Sequence, residues 1–511
     1  MSFIVRLYRF LLARPLPVLI GILIALLYRP IMKYPFLSDD WIALHQFSVF
    51  DLEGCRRIIF RYTNPFSYRP LGYLYTYIFY NLFGPNAFIF RITLLTIHFF
   101  NSLLLFAVLR RITKDRFIAG LAAVLYAAST AIHLYPLSWP STGFFDLGGM
   151  FFFSASFLLF LRKRLVASSL LFGAALFTKP TTCTLPLILL AYMFFAEEGE
   201  GFSFKDALLR LRLHWLMLLP LAVCTLLNYS VLHKTARFST SPPYLFENIL
   251  YFFGVPLPLL FPSNPVFVLN ALFVICVAAF WRSRTPAHPP LPKAQAVFFV
   301  AWFIIGLLPV LTMRYSINLN YYLTYSWPAF IVLFLLFARQ ALWRFFYAAF
   351  RLRFFMIMLV CFSVFSSGVY LYESDRLKFN SKEKMVRGAH FLMVAHSKLR
   401  RVWPVMPENV ILVFEGTGNI DVYWYFAERN HAVRMWYNNE TLEVCKLEDM
   451  EFGKDSFTFG CSEYKQNFTR AARESAFYLF RWNKGEPILE TATFEELRRL
   501  KEAYLKNSLE Q

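Results

Sequence analysis

The sequence predicts an all-α polytopic membrane protein with a small soluble α/β domain at its C-terminal end. Hydrophobic residues make up 58% of the 511 positions, and the apolar runs approach the roughly 20 residues that a helix needs to cross a bilayer about 30 Å thick. Charge is unevenly distributed, since residues 1–373 carry 31 Lys and Arg against 12 Asp and Glu, and residues 374–511 carry 21 against 20. We therefore expect a transmembrane domain over residues 1–373 and an extracytoplasmic soluble domain over residues 374–511.

The first domain is expected to contain about 11 transmembrane helices. A basic N-terminal segment followed by an apolar run also describes a signal peptide, but no small-residue cleavage site follows Tyr28, which favours an uncleaved first span. Residues 31–86 would form a long external loop with an interfacial helix over residues 71–83. Prolines within residues 247–262 favour a re-entrant or interfacial segment. The expected spans are 16–30, 87–109, 117–132, 143–161, 165–178, 183–196, 213–232, 266–281, 296–313, 321–338 and 354–372.

Basic clusters predict the orientation of these spans. Residues 110–116 follow the second span and residues 162–164 follow the fourth, and the positive-inside rule places both clusters in the cytoplasm. The N-terminus is then cytoplasmic and the C-terminal domain extracytoplasmic, in a membrane that we expect to be the bacterial inner (plasma) membrane. The net charge of +20 is explained by orientation and contact with anionic membrane lipid, and not by nucleic acid.

The C-terminal domain carries the pattern of a small α/β unit. Residues 409–414 predict a buried strand, and a helix rich in Tyr and Trp is expected to follow and to extend to Ala427. Cys445 and Cys461 could form a disulfide in an oxidising compartment or remain two free thiols, and the sequence leaves both interpretations open.

Two adjacent carboxylates, Asp39 and Asp40, follow the first span within a few residues. Carboxylates beside hydrocarbon are costly and are usually functional. The pair could act as a general base with an orienting partner, or as joint ligands of a divalent cation that also binds phosphate. The alternative is helix capping, because Ser38 and the two aspartates precede a plausible helical turn.

Four basic residues are expected near the external ends of spans, where they would meet a phosphate or pyrophosphate headgroup. Arginine binds phosphate with a planar fork, whereas lysine offers a point charge. Snorkelling to the interface is the alternative for each of them, and it is as plausible as function for Arg91. These candidates are Arg69, Arg91, Lys179 and Arg314.

Three further polar residues lie in or beside expected spans. A histidine in a span, such as His98 or His133, is more often a packing residue than a ligand. Asp146 lies inside a span and is expected to face a polar cavity or a basic partner.

Several segments together resemble the GT-C superfamily of integral-membrane glycosyltransferases, which use sugars linked to polyprenyl phosphate. Asp39 and Asp40 resemble the acidic motif of the first external loop in that superfamily. The other similar segments are Arg69-Pro-Leu71, Leu82-Phe-Gly-Pro-Asn86, Arg91 to Asn101, His133 to Trp139 with Asp146, Phe177-Thr-Lys-Pro180, Arg314-Tyr315 and Tyr321-Tyr-Leu323. The likeness covers about residues 15–340, and its segments resemble patterns of the protein O-mannosyltransferase-like and tetratricopeptide-carrying transmembrane members.

The resemblance implies an inverting sugar transfer at the external face, from a polyprenyl-phosphate donor to a hydroxyl of a glycan, lipid or protein. Asp39 would be the general base, and Asp40 would assist it or bind metal. Arg69, Lys179, Arg91 and Arg314 would hold the donor phosphate, whose charge grows as the glycosidic bond breaks. His133, Asp146, Tyr321 and Tyr322 would line the substrate cleft. The reaction would need no cofactor, or a divalent cation such as Mg²⁺ or Mn²⁺.

Two other classes of function remain open. A flippase or transporter of lipid-linked glycans would carry charges toward the midplane of several spans and often an internal repeat. A polysaccharide ligase or polymerase would place its large external loop between late spans. Here the long loop follows the first span and the charges cluster toward one face, which favours the transferase.

Overall fold

The computed structural model describes most of the chain. The described residues are 15–37, 39–60, 68–196, 219–226, 242–254, 256–260, 262, 293–311, 320–343, 349–381, 383–414, 431–447, 450–461, 466–471, 475–483 and 486–509. The α-helices are α1 Pro15–Leu27, α2 Asp39–Val49, α3 Leu52–Phe60, α4 Pro70–Phe83, α5 Ala87–Thr113, α6 Arg116–Ala128, α7 Thr130–Ser138, α8 Gly143–Leu161, α9 Leu165–Thr178, α10 Leu185–Phe195, α11 Pro242–Gly254, α12 Pro256–Leu260, α13 Lys293–Leu311, α14 Trp327–Trp343, α15 Ala349–Leu377, α16 Lys384–Val402, α17 His431–Tyr437 and α18 Phe494–Leu509.

The chain divides into two compact units. The first unit comprises Met1–Met32 and Glu53–Glu373, and the second comprises Lys33–Leu52 and Ser374–Gln511. The composition change near residue 374 falls at one of these boundaries. The second unit also takes in helix α2, which begins with the aspartate pair and which the sequence analysis assigns to the external loop of the transmembrane domain.

Helices of the first unit are long and apolar enough to cross a membrane. Among the described residues, four reach the required length and composition, and a fifth crossing results if the bent pair α6 and α7, which meet at 49°, forms one span. The four are Ala87–Thr113, Gly143–Leu161, Ala294–Leu311 and Leu352–Leu377. The chain is therefore a helical protein with membrane-spanning segments, which agrees with the predicted class.

The predicted number of 11 spans is wrong for the described residues. Four predicted crossings correspond to shorter apolar helices, namely Pro15–Leu27, Leu165–Thr178, Pro180–Phe195 and Trp327–Gln340. A helix of 13 or 14 residues is only about 20 Å long, which is short of the bilayer core. Hydropathy over a run of this length does not separate a short apolar helix from a full crossing. The predicted spans over residues 213–232 and 266–281 lie largely or wholly outside the described residues.

The centre of the first unit is formed by α5, α8 and α9. Helices α8 and α9 form a hairpin joined by a turn in which Lys163 has a positive φ of 60°. Two serines join the two helices, because Ser156 Oγ donates to the carbonyl of Ser168 at 2.7 Å and Ser168 Oγ donates to the carbonyl of Ser156 at 2.8 Å. Asn101 on α5 donates to the carbonyl of Leu147 on α8 at 2.9 Å. Small polar side chains thus join apolar helices whose packing gains little from the hydrophobic effect in lipid.

Helix ends in the first unit follow ordinary capping chemistry. The side chain of Asn86 accepts hydrogen bonds from the backbone N–H groups of Phe88 and Ile89 at the start of α5. Asp115 does the same for Phe117 and Ile118 at the start of α6. These caps satisfy donors that have no partner within the helix. Helix α4, expected as an interfacial helix over residues 71–83, extends over Pro70–Phe83.

The second unit contains two small sheets. In the first sheet the order is β2-β1-β6-β7, with β1 parallel to β2 and β6, and β6 antiparallel to β7; the second is antiparallel in the order β3-β4-β5. The strands are β1 Val410–Phe414, β2 Glu443–Lys446, β3 Met450–Phe452, β4 Ser456–Cys461, β5 Gln466–Ala471, β6 Ala476–Asn483 and β7 Glu486–Ala492. Strand β1 confirms the strand predicted at 409–414.

Buried apolar side chains from β1, β2, β4, β6 and α18 form the core of the second unit. Ile411, Val413, Phe457, Leu479 and Leu497 belong to it. Cys445 is buried in this core, but the side chain of Cys461 and the helix expected to extend to Ala427 lie outside the described part of the chain.

Candidate functional site

A buried ion pair between Lys179 and Asp146 lies at the centre of the first unit. Lys179 has an extended backbone between the end of α9 and the 3-10 turn Pro180–Thr184. Asp146 lies in the first turn of α8, and its Oδ1 accepts a hydrogen bond from Lys179 Nζ. Both side chains are at least 90% buried. The two residues, predicted separately for the phosphate site and the substrate cleft, are therefore partners.

Local backbone geometry fixes the position of Lys179. The hydroxyl of Thr182 donates to the carbonyl of Lys179 at 2.8 Å and holds the 3-10 turn against it. Gly149 lies one helical turn after Asp146, where a Cβ would lie 3.3 Å from Lys179 Cβ and would clash with the hydroxyl of Tyr325. A glycine at this position allows the lysine backbone to approach α8 closely.

Aromatic side chains surround the ammonium group of Lys179. Its Nζ lies 5.1 Å from the ring centroid of Tyr321 and 5.5 Å from that of Tyr322. Tyr321 stacks on Tyr135 at 5.9 Å and meets Trp139 edge-to-face at 6.2 Å. The indole nitrogen of Trp139 is buried and donates to no other described residue. These contacts place two predicted cleft residues beside Lys179, together with Tyr135 and Trp139, which lie in the segment His133 to Trp139 but were given no role from sequence.

Arg69 lies next to this cluster. It directly precedes α4, and its guanidinium carbon lies 5.0 Å from the ring centroid of Phe145, the residue before Asp146. Close packing maintains this approach, because a Cβ on Gly72 in the first turn of α4 would overlap the Phe145 ring. Arg69, Asp146, Lys179, Tyr321 and Tyr322 thus belong to one region of the first unit.

Arg91 and His133 pack around the bend between α6 and α7. Arg91 is fully buried, and its guanidinium donates to the carbonyl of Ser138, the last residue of α7, at 3.2 Å. A cation at a helix C-terminus is favourable because the last carbonyls lack partners within the helix. Arg91 is therefore a partner of the C-terminal end of α7. Because its side chain is fully buried, it does not extend to an interface as snorkelling requires. The contacts of the described residues do not test whether Arg91 binds phosphate.

The bend also organises the neighbouring histidines. The carbonyl of Ala127, at the end of α6, accepts hydrogen bonds from the Tyr28 hydroxyl at 3.2 Å and from His98 Nε2 at 3.1 Å. The His133 ring lies 4.3 Å from that of His98, and its two nitrogens make no hydrogen bond of normal geometry to other described residues. A broken helix is tolerated among apolar helices when side chains satisfy the freed carbonyls. His98 satisfies the carbonyl of Ala127 in this way. The ring of His133 packs against the ring of His98 and, among the described residues, does not contact the Lys179 cluster.

The aspartate pair begins α2 in the second unit. Asp40 is fully buried, and its Oδ2 accepts the backbone N–H of Leu37 at 3.1 Å, while the backbone N–H of Asp40 donates to the carbonyl of Leu37 at 2.8 Å. Asp40 therefore joins the first turn of α2 to the segment before it. An N-cap side chain accepts N–H groups further along the chain, so this contact differs from the predicted cap. Asp39 is the exposed carboxylate of the pair. Arg314 lies outside the described residues.

Asp40 is also the residue expected to bind a divalent cation. Its carboxylate accepts the backbone N–H of Leu37, and the described residues include no group of three or more His, Cys, Asp or Glu side chains placed to hold a metal ion.

No family model matches the chain, and no curated protein is similar to it.

Proposed function

We propose that the protein is a membrane glycosyltransferase that moves a sugar from a polyprenyl-phosphate donor to an acceptor hydroxyl on the extracytoplasmic face, with inversion. The observation that supports this most strongly is the cluster around Lys179. Asp146, Lys179, Tyr321 and Tyr322 come from three distant stretches of sequence and meet in one buried polar region among apolar helices. A polar cluster of this kind suits a substrate with a charged headgroup and an apolar tail.

The basic residues of the cluster suit a phosphate leaving group. Asp146 pairs with Lys179 and orients it at a position where an isolated ammonium would be costly. Arg69 supplies a second cation with a planar donor fork. The negative charge on the phosphate oxygen grows as the sugar leaves, and donors fixed in advance stabilise that charge without reorganising.

The aromatic residues suit the sugar and its link to phosphate. Tyr321 and Tyr322 enclose Lys179, and the buried indole N–H of Trp139 beside Tyr321 is placed to donate to a substrate oxygen. Rigid rings with single polar groups fix orientation in small-molecule sites. Holding the reacting groups in the correct geometry lowers the barrier to a displacement reaction.

In the proposed step, the acceptor hydroxyl oxygen forms a bond to the anomeric carbon on the face opposite the phosphate. The bond between the anomeric carbon and the phosphate oxygen breaks, and its electron pair leaves with the lipid phosphate. Asp39 accepts the hydroxyl proton as general base. Asp40 holds the first turn of α2 and so orients Asp39.

The test compares the lipid-linked and surface glycans of a deletion strain with those of the wild type. The glycan of the deletion strain should lack one sugar, and the wild-type gene should restore it. Asp39→Asn should fail to restore it while inserting at the wild-type level. Glu53→Gln, which changes a carboxylate whose side chain is 44% exposed in α3, should restore it as a matched control.

Two results would contradict the proposal. One is restoration of the sugar by Asp39→Asn, which would exclude that residue as the base. The other is accumulation of the complete lipid-linked glycan on the cytoplasmic leaflet of the deletion strain. That result would favour the transporter, a class that also places ion pairs among apolar helices.

A further inference from the structure

Helix α2 packs against α17 within the second unit, although the two helices are almost 400 residues apart in sequence. The indole of Trp41 meets that of Trp436 edge-to-face at 6.0 Å. Trp41 Nε1 also donates to the carbonyl of Phe36 at 2.8 Å, which fixes the ring against the segment that precedes α2. The face of α2 that carries Trp41 therefore packs against Trp436, a residue of the C-terminal part of the chain.

A chain of hydrogen bonds joins the C-terminal half of α2 to the same region. His45 is 6% exposed; its Nε2 lies 2.9 Å from Glu440 Oε1, and its Nδ1 lies 2.7 Å from His431 Nδ1. A carboxylate only accepts hydrogen bonds, so Nε2 of His45 carries the proton. In neutral His45, Nδ1 is then an acceptor, and His431 donates its Nδ1–H.

The partners of His45 are themselves held in place. Arg434 on α17 donates to Glu443 at 2.7 Å and to the carbonyl of Leu442 at 3.0 Å, and its guanidinium lies 3.9 Å from Glu440. These contacts order the turn between α17 and β2, which carries Glu440. Orientation of a histidine by a fixed carboxylate is a recurrent device in catalytic sites.

A second group of contacts fixes the segment that leads into α2. Asp375 accepts hydrogen bonds from Lys33 Nζ at 2.7 Å and from the Tyr34 hydroxyl at 2.9 Å. His390 on α16 lies 3.1 Å from the same carboxylate. Helix α2 is thus held both before its first residue and along its length, while Asp39 at its first turn is exposed.

We propose that the second unit serves to position α2 for the reaction, and that His431 and Glu440 are positioning residues acting through His45. This rests on the proposed function, in which Asp39 is the base. An isolated helix of 11 residues is marginal in water, so the direction of Asp39 depends on the partners of α2. Misplacement of a catalytic group by about 1 Å can cost about 100-fold in rate.

The test uses the full-length protein in lipid nanodiscs with three variants. His431→Phe keeps a ring but loses the donor to His45. His431→Asn keeps an N–H donor near the position of Nδ1. Arg498→Ala is the matched control, because it removes only an exposed ion pair with Glu502 on α18 of the same unit.

Two measurements are made on each variant: amide hydrogen exchange over residues 39–49, and kcat and KM for sugar transfer. His431→Phe should speed exchange in this segment at least about 10-fold, and kcat should fall about 10- to 100-fold with little change in KM. His431→Asn should recover most of both, because the donor is restored. Arg498→Ala should match the wild type in both.

The outcomes separate the two proposals. Unchanged exchange over residues 39–49 in His431→Phe would overturn the positioning role whatever the activity shows. Faster exchange with wild-type kcat would refute the link between α2 and the reaction, and would count against Asp39 as the base. If the wild type transfers no sugar, the proposed function fails, and faster exchange would then support only the part of the inference that the second unit orders α2.

Discussion

Lys179 and Asp146 form a pair that stability alone does not explain. Removing two charges from water costs several kcal/mol per ion, and their mutual attraction in a dry interior often only offsets that cost. Apolar residues of similar size would hold the same helices at least as well. The role in binding charge that we propose would account for the pair.

The pair can be tested by neutralising its members singly and together. Asp146→Asn leaves an uncompensated ammonium and should lower the free energy of unfolding by about 3–5 kcal/mol. Lys179→Met leaves an uncompensated carboxylate and should cost a similar amount. The double variant leaves no unpaired charge and should recover most of the loss, yet it should transfer no sugar because the phosphate loses its cation. Thermal unfolding and turnover of all three variants in nanodiscs check this, and turnover by the double variant would contradict the role of Lys179.

At the residue scale, the sequence singled out several residues of the Lys179 cluster but not the contacts between them. Lys179 and Asp146 were singled out from their types and predicted depth, and Tyr321 from the resemblance. Their meeting depends on the α8–α9 hairpin and on the chain path to residue 321, which no local pattern encodes. The contact of Arg91 with the carbonyl of Ser138 was not predicted, because the broken helix that ends there cannot be read from hydropathy.

At the scale of elements, the bend between α6 and α7 is held by a residue from a distant helix. Trp327 at the start of α14 donates its indole N–H to Ser129 Oγ at 2.7 Å, and Ser129 in turn donates to the carbonyl of Leu125 at 2.6 Å. Ser129 is the residue between the two helices. The bend is thus defined by side-chain partners rather than by flexibility.

A double-mutant cycle measures this link. Trp327→Phe removes the donor and also shrinks a fully buried ring, and Ser129→Ala removes the acceptor. Ser129→Ala should lower the free energy of unfolding by about 1 kcal/mol, and Trp327→Phe should lower it by more because of the cavity that it leaves. The double variant should cost about 1 kcal/mol less than the sum, because both changes remove the same hydrogen bond. Strict additivity would show that the hydrogen bond contributes nothing to the bend.

The starts of three helices were predicted well. The expected spans over residues 87–109, 143–161 and 165–178 correspond to α5, α8 and α9. Of these three helices, α5 begins at a side-chain cap from Asn86, whereas Thr142 and Arg164 make no side-chain cap hydrogen bond at the starts of α8 and α9. Hydropathy alone determined the number of crossings, and it overestimated that number because several helices are as apolar as full spans but shorter.

At the scale of the whole molecule, the second unit is built from two segments that are distant in sequence. The sequence predicted a change of character at residue 374 from charge balance, and the structure has a boundary there. It did not predict that residues 33–52 join the tail, because their partners lie almost 400 positions away. Trp41 and His45 were visible as polar and aromatic residues beside the aspartates but had no pattern that named a partner.

Acid should weaken the second unit through His390. Burial lowers the pKa of this histidine, although its hydrogen bond to Asp375 opposes the shift. The unfolded chain then binds the proton more readily, with an ordinary pKa of about 6.5. The stabilisation is therefore complete above that pH and is lost as the pH falls toward the lower folded pKa.

His390→Gln tests this pH dependence, because it keeps an N–H group for Asp375 but does not titrate. Thermal unfolding of the full-length protein at pH 7.5 and 5.5 should show a smaller drop in the variant than in the wild type. Equal drops would mean that other groups dominate the acid sensitivity.

The second unit is built from two segments that are distant in sequence, so α2 is synthesised well before its partners. His45 leaves the ribosome 386 residues before His431, which at 5–20 residues per second is a delay of roughly 20–80 s. During that interval the acidic helix has none of its eventual neighbours from the tail. Chains that stop short of residue 431 should therefore reach the membrane with this helix unprotected, and quality-control proteases should cleave them near residue 40.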